Sequence, residues 1–141
     1  MPTSLLTVGE LMSSAVITLR ENASVGRAHA EMKLARIRHF PVVNGDGQVV
    51  GIVSSLDVAK ALAVPGRGRS TPVRLLMSTE VQTVFEDAPA HLAPKLMREK
   101  KIGALPVVDR EGSLVGIITE TDFLRVAEQA LKGTPVRRAR P

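Results

Sequence analysis

The sequence contains no cysteine, which excludes several kinds of site at once. Without thiols the chain can form no disulfide, no thiolate nucleophile and no zinc–thiolate centre. Histidine is scarce as well, because His29, His39 and His91 are the three imidazole donors of the chain. His29 and His91 fit no motif and are expected on helix surfaces, so no metal site is predicted. Tyrosine and tryptophan are missing, and three phenylalanines are too few for a row of stacked aromatics that would bind single-stranded nucleic acid.

Long apolar runs are also missing from the sequence. No stretch approaches the roughly 18 apolar residues that span a bilayer, and the N-terminal residues lack the basic and long apolar segments of a secretory signal. We therefore expect a soluble, cytoplasmic protein with no membrane partner. The 141 residues, of which 44% are hydrophobic, suffice for one compact domain or for two half-sized units that share a core.

Part of the positive charge behind the net charge of +5 is concentrated in two segments. Arg67 and Arg69 lie in a stretch rich in proline, glycine and serine, whereas Arg137, Arg138 and Arg140 lie in the C-terminal tail. One interpretation is a solvated linker and a frayed terminus. The other is attraction to an anionic partner, such as a nucleotide, a nucleic acid or a membrane surface, with nucleic acid the least supported of these.

The chain is a tandem duplication. A shift of 65 positions, the separation of Asp57 and Asp122, superimposes Pro41-Val42-Val43 on Pro106-Val107-Val108 without a gap. The composition of residues 65–72 is typical of a connector. The predicted organisation is therefore a first repeat at 1–64, a linker at 65–72, a second repeat at 73–130 and a basic tail at 131–141.

Each copy has the pattern helix, strand, helix, strand, strand, helix. Thr7 and Glu10 form a capping box that predicts a first helix, and Thr71 followed by Pro72 predicts its counterpart. Asn22 and Asp87 are predicted N-caps of longer helices. Strands are predicted at 16–18 and 81–84, and hairpins at 40–43 with 49–53 and at 105–108 with 114–118, each followed by a last helix.

These elements predict an α+β fold in which each copy is a small β-sheet packed with helices. So few strands cannot bury both faces alone, so the two copies must pack together. A pseudo-twofold axis would then create two equivalent clefts, and clefts at repeat interfaces are preferred ligand sites.

One motif occurs in both copies, as Gly51-Ile52-Val53-Ser54-Ser55-Leu56-Asp57 and as Gly116-Ile117-Ile118-Thr119-Glu120-Thr121-Asp122. A Ser or Thr three residues before Asp at a helix start is a capping box, so one hypothesis is that the motif only satisfies free amides. The other is that the helix N-terminus binds a phosphate while the carboxylate accepts the hydroxyls of a ribose. On that hypothesis the glycine lets the backbone approach a flat ring.

The motif, with the preceding strand h-P-V-V-[ND] and its tight turn, resembles the CBS domain. This domain is named after cystathionine β-synthase and occurs also in IMP dehydrogenase, chloride channels and the gamma subunit of AMP-activated protein kinase. The resemblance covers Val8 to about Ala130. It implies a stand-alone pair of domains, a Bateman module, that binds AMP, ADP, ATP or S-adenosylmethionine between the repeats as a regulatory ligand. It also implies a homodimer through exposed apolar helix faces and an unknown protein that the module regulates.

The resemblance implies two clefts, each combining the motif of one repeat with the first strand and the pre-proline segment of the other. One cleft would join Thr119, Thr121 and Asp122 to Thr18, Ile37, Arg38, His39 and Pro41, and the other would join Ser54 and Asp57 to Thr83, Ile102, Gly103, Ala104 and Pro106. The first would be the more basic, because Arg38-His39 matches Gly103-Ala104. Arg38 and His39 would either contact phosphates or form a solvated strand edge.

We expect no enzyme, because the sequence lacks a P-loop, a nucleophile elbow and the HExxH motif. Asp57 and Asp122 would lie in separate clefts and could not act as an acid–base pair. Two functions remain open. The first is an adenosine-nucleotide sensor that needs no other cofactor, and the second is a protein-interaction or nucleic-acid-binding module whose clefts are vestigial. A nucleotide retained on purification favours the first, and a steep salt dependence of nucleic-acid binding favours the second.

Overall fold

The computed structural model describes residues 6–65 and 68–136 and confirms a mixed α+β fold. Arg67, Arg137, Arg138 and Arg140 lie outside the described residues, whereas Arg69 is exposed. A 3₁₀ turn at Val73–Leu75 separates two similar sets of helices and strands. The elements are α1 (Val8–Leu11), β1 (Leu19–Arg20), α2 (Val25–Ala35), β2 (His39–Val43), β3 (Val49–Ser54), α3 (Ser55–Ala63), β4 (Val84–Phe85), α4 (Leu92–Lys100), β5 (Ala104–Val108), β6 (Leu114–Thr119) and α5 (Glu120–Leu131).

The chain divides into two compact units whose boundaries differ from those of the sequence repeats. The first unit is Ile17–Val81, and the second consists of the residues up to Val16 together with those from Gln82 onwards. Helix α1 belongs to the second unit because the N–H groups of Val8 and Gly9 donate to the carbonyls of Ala88 and Glu86 at 2.9 and 2.8 Å.

The opening segment of the second repeat packs in the first unit in the same way. The N–H of Val73 donates to the carbonyl of Ala23 at 2.8 Å. Ile52 and Ser78 exchange two backbone hydrogen bonds of 3.0 and 2.9 Å. Each unit is therefore completed by the short segment that opens the other repeat.

Each unit contains a three-stranded sheet, ordered β1-β2-β3 in the first and β4-β5-β6 in the second. In both sheets the first strand is parallel to the central one, and the hairpin that follows is antiparallel. Both predicted hairpins are confirmed. The side-chain oxygen of Asn44 accepts from the N–H groups of Asp46 and Gln48, at 2.9 and 3.0 Å, and this closes the first hairpin turn.

The first strand of each unit begins later than the sequence predicts. The strand predicted at 16–18 is wrong, since β1 is Leu19–Arg20, and the strand predicted at 81–84 shares only Val84 with β4. Proline offers a physical reason, because Pro41 and Pro106 lack the N–H that a neighbouring strand would use. Pairing accordingly starts one residue beyond each proline, at Val42 and at Val107.

The caps of the longer helices also differ from the prediction. Asn22 does not cap α2, whose N-cap is Ser24, with its hydroxyl accepting from the N–H of Arg27 at 3.1 Å. Asp87 does not cap α4 either. Its carboxylate instead pairs with the guanidinium of Arg110, with both nitrogen–oxygen distances at 2.9 Å. Arg110 lies 23 residues away, so a local sequence pattern does not reveal this pair.

The two short opening segments give one confirmed cap and one wrong one. Thr7 caps α1, since its hydroxyl accepts from the N–H of Glu10 at 3.3 Å. The predicted cap at Thr71 is wrong, because Pro72 itself is the N-cap of the 3₁₀ turn and makes no side-chain cap.

The two units have separate hydrophobic cores. In the first unit Phe40, Val42 and Val53 from the sheet pack with residues of α2 and α3 and with Val73. In the second unit Val8 and Leu11 of α1, exposed by 0% and 1%, pack with residues of β5, β6 and α4. Within residues 6–65 and 68–136, none of the helices has the length and hydropathy that a bilayer crossing requires.

Candidate functional site

Each unit gathers one set of candidate residues at one end of its sheet. Strands β1 and β2 are parallel and begin at the same end, and the antiparallel β3 ends there. In the first unit this end brings together Thr18, the segment 37–39, Ser54 and Asp57. His39 lies opposite Ser54 in the register, and the N–H of Ser55 donates to the carbonyl of Arg38 at 2.8 Å.

The second unit gathers the matching residues in the same arrangement. Ala104 lies opposite Thr119, and the N–H of Glu120 donates to the carbonyl of Gly103 at 3.1 Å. Thr83 lies just before β4, and Thr121 is exposed on the first turn of α5. The two predicted clefts each draw on both units, and this pairing stays a prediction.

Three of the predicted site residues have buried side chains. Pro41, Ala104 and Pro106 all lie inside the central strands β2 and β5. Arg38, by contrast, is exposed, and Ile37 and Ile102 are partly buried against the hydrophobic cores of their units. The two prolines and the alanine can therefore shape the start of a strand, whereas Arg38 presents its charge to solvent.

Asp57 and Ser54 form the reciprocal cap that the motif predicts at the start of α3. The N–H of Ser54 donates to Oδ2 of Asp57 at 2.9 Å, and the N–H of Asp57 donates to the Ser54 hydroxyl at 3.1 Å. The second carboxylate oxygen of Asp57, Oδ1, has no partner among the described residues. The cap therefore uses one oxygen and leaves the other able to accept from a ligand.

Asp122 caps α5 in a similar way but has a further neighbour. The N–H of Thr119 donates to Oδ2 of Asp122 at 2.8 Å. On the other side, Oδ1 lies 3.8 Å from Nη2 of Arg125, and the same nitrogen donates to the carbonyl of Leu11 at 3.4 Å. Sequence reasoning missed Arg125, although its position three residues after Asp122 on one helix face was an available signal.

The motif glycines serve a different purpose from the one inferred from sequence. A β-carbon on Gly116 would lie 2.7 Å from the carbonyl oxygen of Ser13, and one on Gly51 would lie 3.1 Å from that of Ser78 and collide with Met77. The space in front of each glycine is thus filled by protein and not by a flat ring. The glycines allow the opening segments to cross β3 and β6 closely.

A groove runs between two helices in each unit, and the two grooves match under the repeat. The groove of the first unit, of about 400 Å³, is lined by four basic residues and by no acidic one; these are His29, Lys33, Arg36 and Arg38. The groove of the second unit, of about 540 Å³, contains Arg98 and Lys101 but also Glu120, beside the apolar Phe123 and Leu124. Among the described residues, no group of three or more His, Asp or Glu side chains is placed to hold a metal ion.

The repeated parallel–antiparallel sheet and the capped Ser/Thr-x-x-Asp helix in each unit define a class of tandem α+β modules. The family model of the CBS domain matches residues 8–64 and 73–129, which together are well over half of the sequence. The chain belongs to the CBS domain family.

Among solved structures, the chain resembles the CBS domain pair of protein MJ0100 in complex with 5′-methylthioadenosine and S-adenosyl-L-methionine. The TM-score is 0.81 and the identity 31%, covering 90% of this chain and 99% of that one. It also resembles CBSX2 in complex with AMP, with a TM-score of 0.78 and 26% identity, covering 89% and 98% of the two chains.

Among curated proteins, the chain is 40% identical over 119 residues to the homoserine O-acetyltransferase of Methanococcoides burtonii. The match covers 84% of this chain but only 24% of that enzyme. The chain therefore spans about a quarter of the length of this relative.

Proposed function

We propose that the chain is a regulatory module that binds an adenosine-type nucleotide and thereby senses a metabolite. The candidate ligands are AMP, ADP, ATP and S-adenosylmethionine. The observation that carries the proposal is the likeness, at a TM-score of 0.81, to a CBS domain pair solved with two adenosine compounds. The likeness to CBSX2 in complex with AMP supports the same class of ligand.

The geometry of the motif supports this chemistry. A ribose offers two hydroxyl donors, and the unpartnered Oδ1 of Asp57 is a charged acceptor at the start of α3. Helices α3 and α5 have 9 and 12 residues, and the positive end of each helix dipole favours an anion such as a phosphate. Arg38 adds a positive charge to the candidate residues of the first unit. Its counterpart Gly103 adds none to those of the second unit.

We propose a role in binding and not in catalysis. In the described residues the two motif carboxylates are each engaged by a cap at a different helix. The matched acetyltransferase shares only 24% of its length with this chain, so its reaction does not transfer. The module would instead report ligand occupancy to a protein that it regulates.

The direct test is mass spectrometry of any small molecule released from freshly purified, denatured protein. A mononucleotide of about 23 non-hydrogen atoms at roughly 0.3 kcal/mol per atom binds with a Kd in the micromolar range. A ligand at about a hundredfold its Kd is expected to raise the melting temperature by several degrees. No thermal shift with AMP, ATP, S-adenosylmethionine or 5′-methylthioadenosine at millimolar concentration would contradict the proposal. Guanosine monophosphate is the matched control.

We also propose that the protein forms a homodimer through its helix grooves. Leu124 lines the groove of the second unit with 70% of its surface exposed. Two copies that meet through their first-unit grooves would bring His29, Lys33 and Arg36 of each copy together. The acidic Glu120 in the groove of the second unit therefore favours pairing of one copy's first unit with its partner's second unit.

The dimer proposal predicts that Leu124→Gln weakens self-association on the order of tenfold, because an apolar side chain of this size contributes about 1.5–3 kcal/mol when buried. Leu131→Gln is the matched control, since Leu131 lies on the same helix, is 88% exposed and does not line the groove. Sedimentation equilibrium measures both variants. Equal effects of the two substitutions, or none, would remove the groove from the dimer interface.

A further inference from the structure

We infer that Arg125 restricts access to Asp122, so that a ligand fills the Asp57 site before the Asp122 site. The inference rests on the proposed function, because it assumes that these carboxylates accept the sugar hydroxyls of a nucleotide. It assigns Arg125 as a positioning residue that makes two sites with the same motif unequal.

Arg125 bridges the site carboxylate and the N-terminal helix of the second unit. Its Nη2 atom lies 3.8 Å from Oδ1 of Asp122 and donates to the last-turn carbonyl of α1, at Leu11, over 3.4 Å. The Asp122 side chain is only 15% exposed, and its other oxygen is held by the N–H of Thr119. A ribose hydroxyl that donates to Oδ1 must therefore share that oxygen with the guanidinium or displace it.

The matching place in the first unit is open. Lys60 occupies the position of Arg125 and has no partner among the described residues. Leu76 occupies the position of Leu11, and together with Asp57 and Lys60 it lines a groove of about 300 Å³. Among the described residues no cation lies within ion-pair distance of Oδ1 of Asp57, and the groove leaves space beside it.

The difference has two measurable consequences. A hydrogen bond to a charged group is worth about 1.5–3 kcal/mol, so competition for Oδ1 is expected to weaken the Asp122 site about tenfold. Displacing Arg125 also frees the Leu11 carbonyl, so a ligand at Asp122 is expected to loosen α1. That helix ends with a backbone bond of 2.9 Å from Met12 to Val8, whose amide exchange reports the loosening.

The test isolates each site and then exchanges the two residues. Asp57→Asn leaves the Asp122 site intact, and Asp122→Asn leaves the Asp57 site. Calorimetry uses adenosine, which is neutral and insensitive to long-range charge. Compared with the Asp122→Asn protein, the Asp57→Asn protein is expected to have about a tenfold higher Kd for adenosine. Adding Arg125→Lys to that protein gives the second unit the residue of the first and is expected to remove most of the difference. Adding Lys132→Gln instead, which removes an exposed charge at the C-cap of the same helix, is the control and is expected to leave the Kd unchanged.

A purely structural role for Arg125 would lower the melting temperature of Arg125→Lys without lowering its Kd for adenosine. An unchanged or higher Kd in the Asp57→Asn, Arg125→Lys protein overturns the inference and leaves the proposed function standing. If neither aspartate substitution alters binding, the proposed function fails and this inference fails with it.

Hydrogen exchange on the unmodified protein gives a second test that does not depend on the folding of a variant. As adenosine is titrated, the Met12 amide is expected to exchange faster only at concentrations that fill the weaker site. Slower exchange at every concentration would show that the ligand tightens α1, and this overturns the inference.

Discussion

Gly116→Ala is expected to lower the free energy of unfolding by about 3 kcal/mol, which corresponds to a fall in melting temperature of about 10 °C. The new β-carbon would lie 2.7 Å from the carbonyl oxygen of Ser13. That oxygen cannot move away cheaply, since it accepts from the N–H of Ile117 at 2.9 Å. Thermal and urea unfolding, monitored by circular dichroism, measure the effect.

The repeat supplies an internal comparison for this prediction. A β-carbon on Gly51 would lie 3.1 Å from the backbone oxygen of Ser78, and its worse contact is with the flexible end of Met77. Gly51→Ala is therefore expected to cost less than Gly116→Ala. Gly45→Ala is the control, because the nearest atom to its β-carbon would lie 3.7 Å away. It is expected to change the free energy of unfolding by no more than about 0.5 kcal/mol. If Gly116→Ala is no more harmful than Gly45→Ala, the segment from α1 to Ser13 does not cross β6 as described.

Asp57→Asn and Asp122→Asn are each expected to reduce the affinity of one site for AMP on the order of tenfold to a hundredfold. Asparagine keeps a side-chain oxygen that accepts from the N–H of the N-cap residue. The free energy of unfolding is therefore expected to change by only a few tenths of a kcal/mol. It removes the charge that strengthens a bond to a ribose hydroxyl, worth about 1.5–3 kcal/mol. Calorimetry gives the affinity and thermal unfolding gives the stability.

The control for the aspartate variants is Glu128→Gln, which removes an acid from the exposed face of α5, where it pairs with Lys132. AMP affinity is expected to be unchanged in this variant. Unchanged affinity in both aspartate variants as well would mean that Ser54 and Thr119 with their aspartates form helix caps and nothing else. A loss of stability of several kcal/mol would instead mean that the cap requires the charge.

The parts of the fold predicted correctly are those held by contacts within a few residues. The cap of Ser54 by Asp57 spans three residues, and the turn closed by Asn44 spans four. Their side-chain types and spacing are visible in the sequence, and so are the β-branched runs on either side of a Gly-containing turn that predict the hairpins. One wrong cap fails for the opposite reason, because Asp87 is bound by Arg110, 23 residues away. The other is a choice between two neighbouring residues, since Ser24 and not Asn22 caps α2.

The sequence alone determined that the chain is a duplicated α+β protein, that each copy carries a capped Ser/Thr-x-x-Asp helix, and that it resembles the CBS domain. Only the tertiary structure decided which opening segment completes which unit and what the motif glycines accommodate. It also decided that the side chain of Arg125 reaches the carbonyl of Leu11, 114 residues away, and that Lys60 makes no matching contact among the described residues. The physical reason is that these features depend on backbone atoms brought together from distant parts of the chain. Such atoms are chemically alike in every residue, so the side-chain pattern does not reveal which of them will meet.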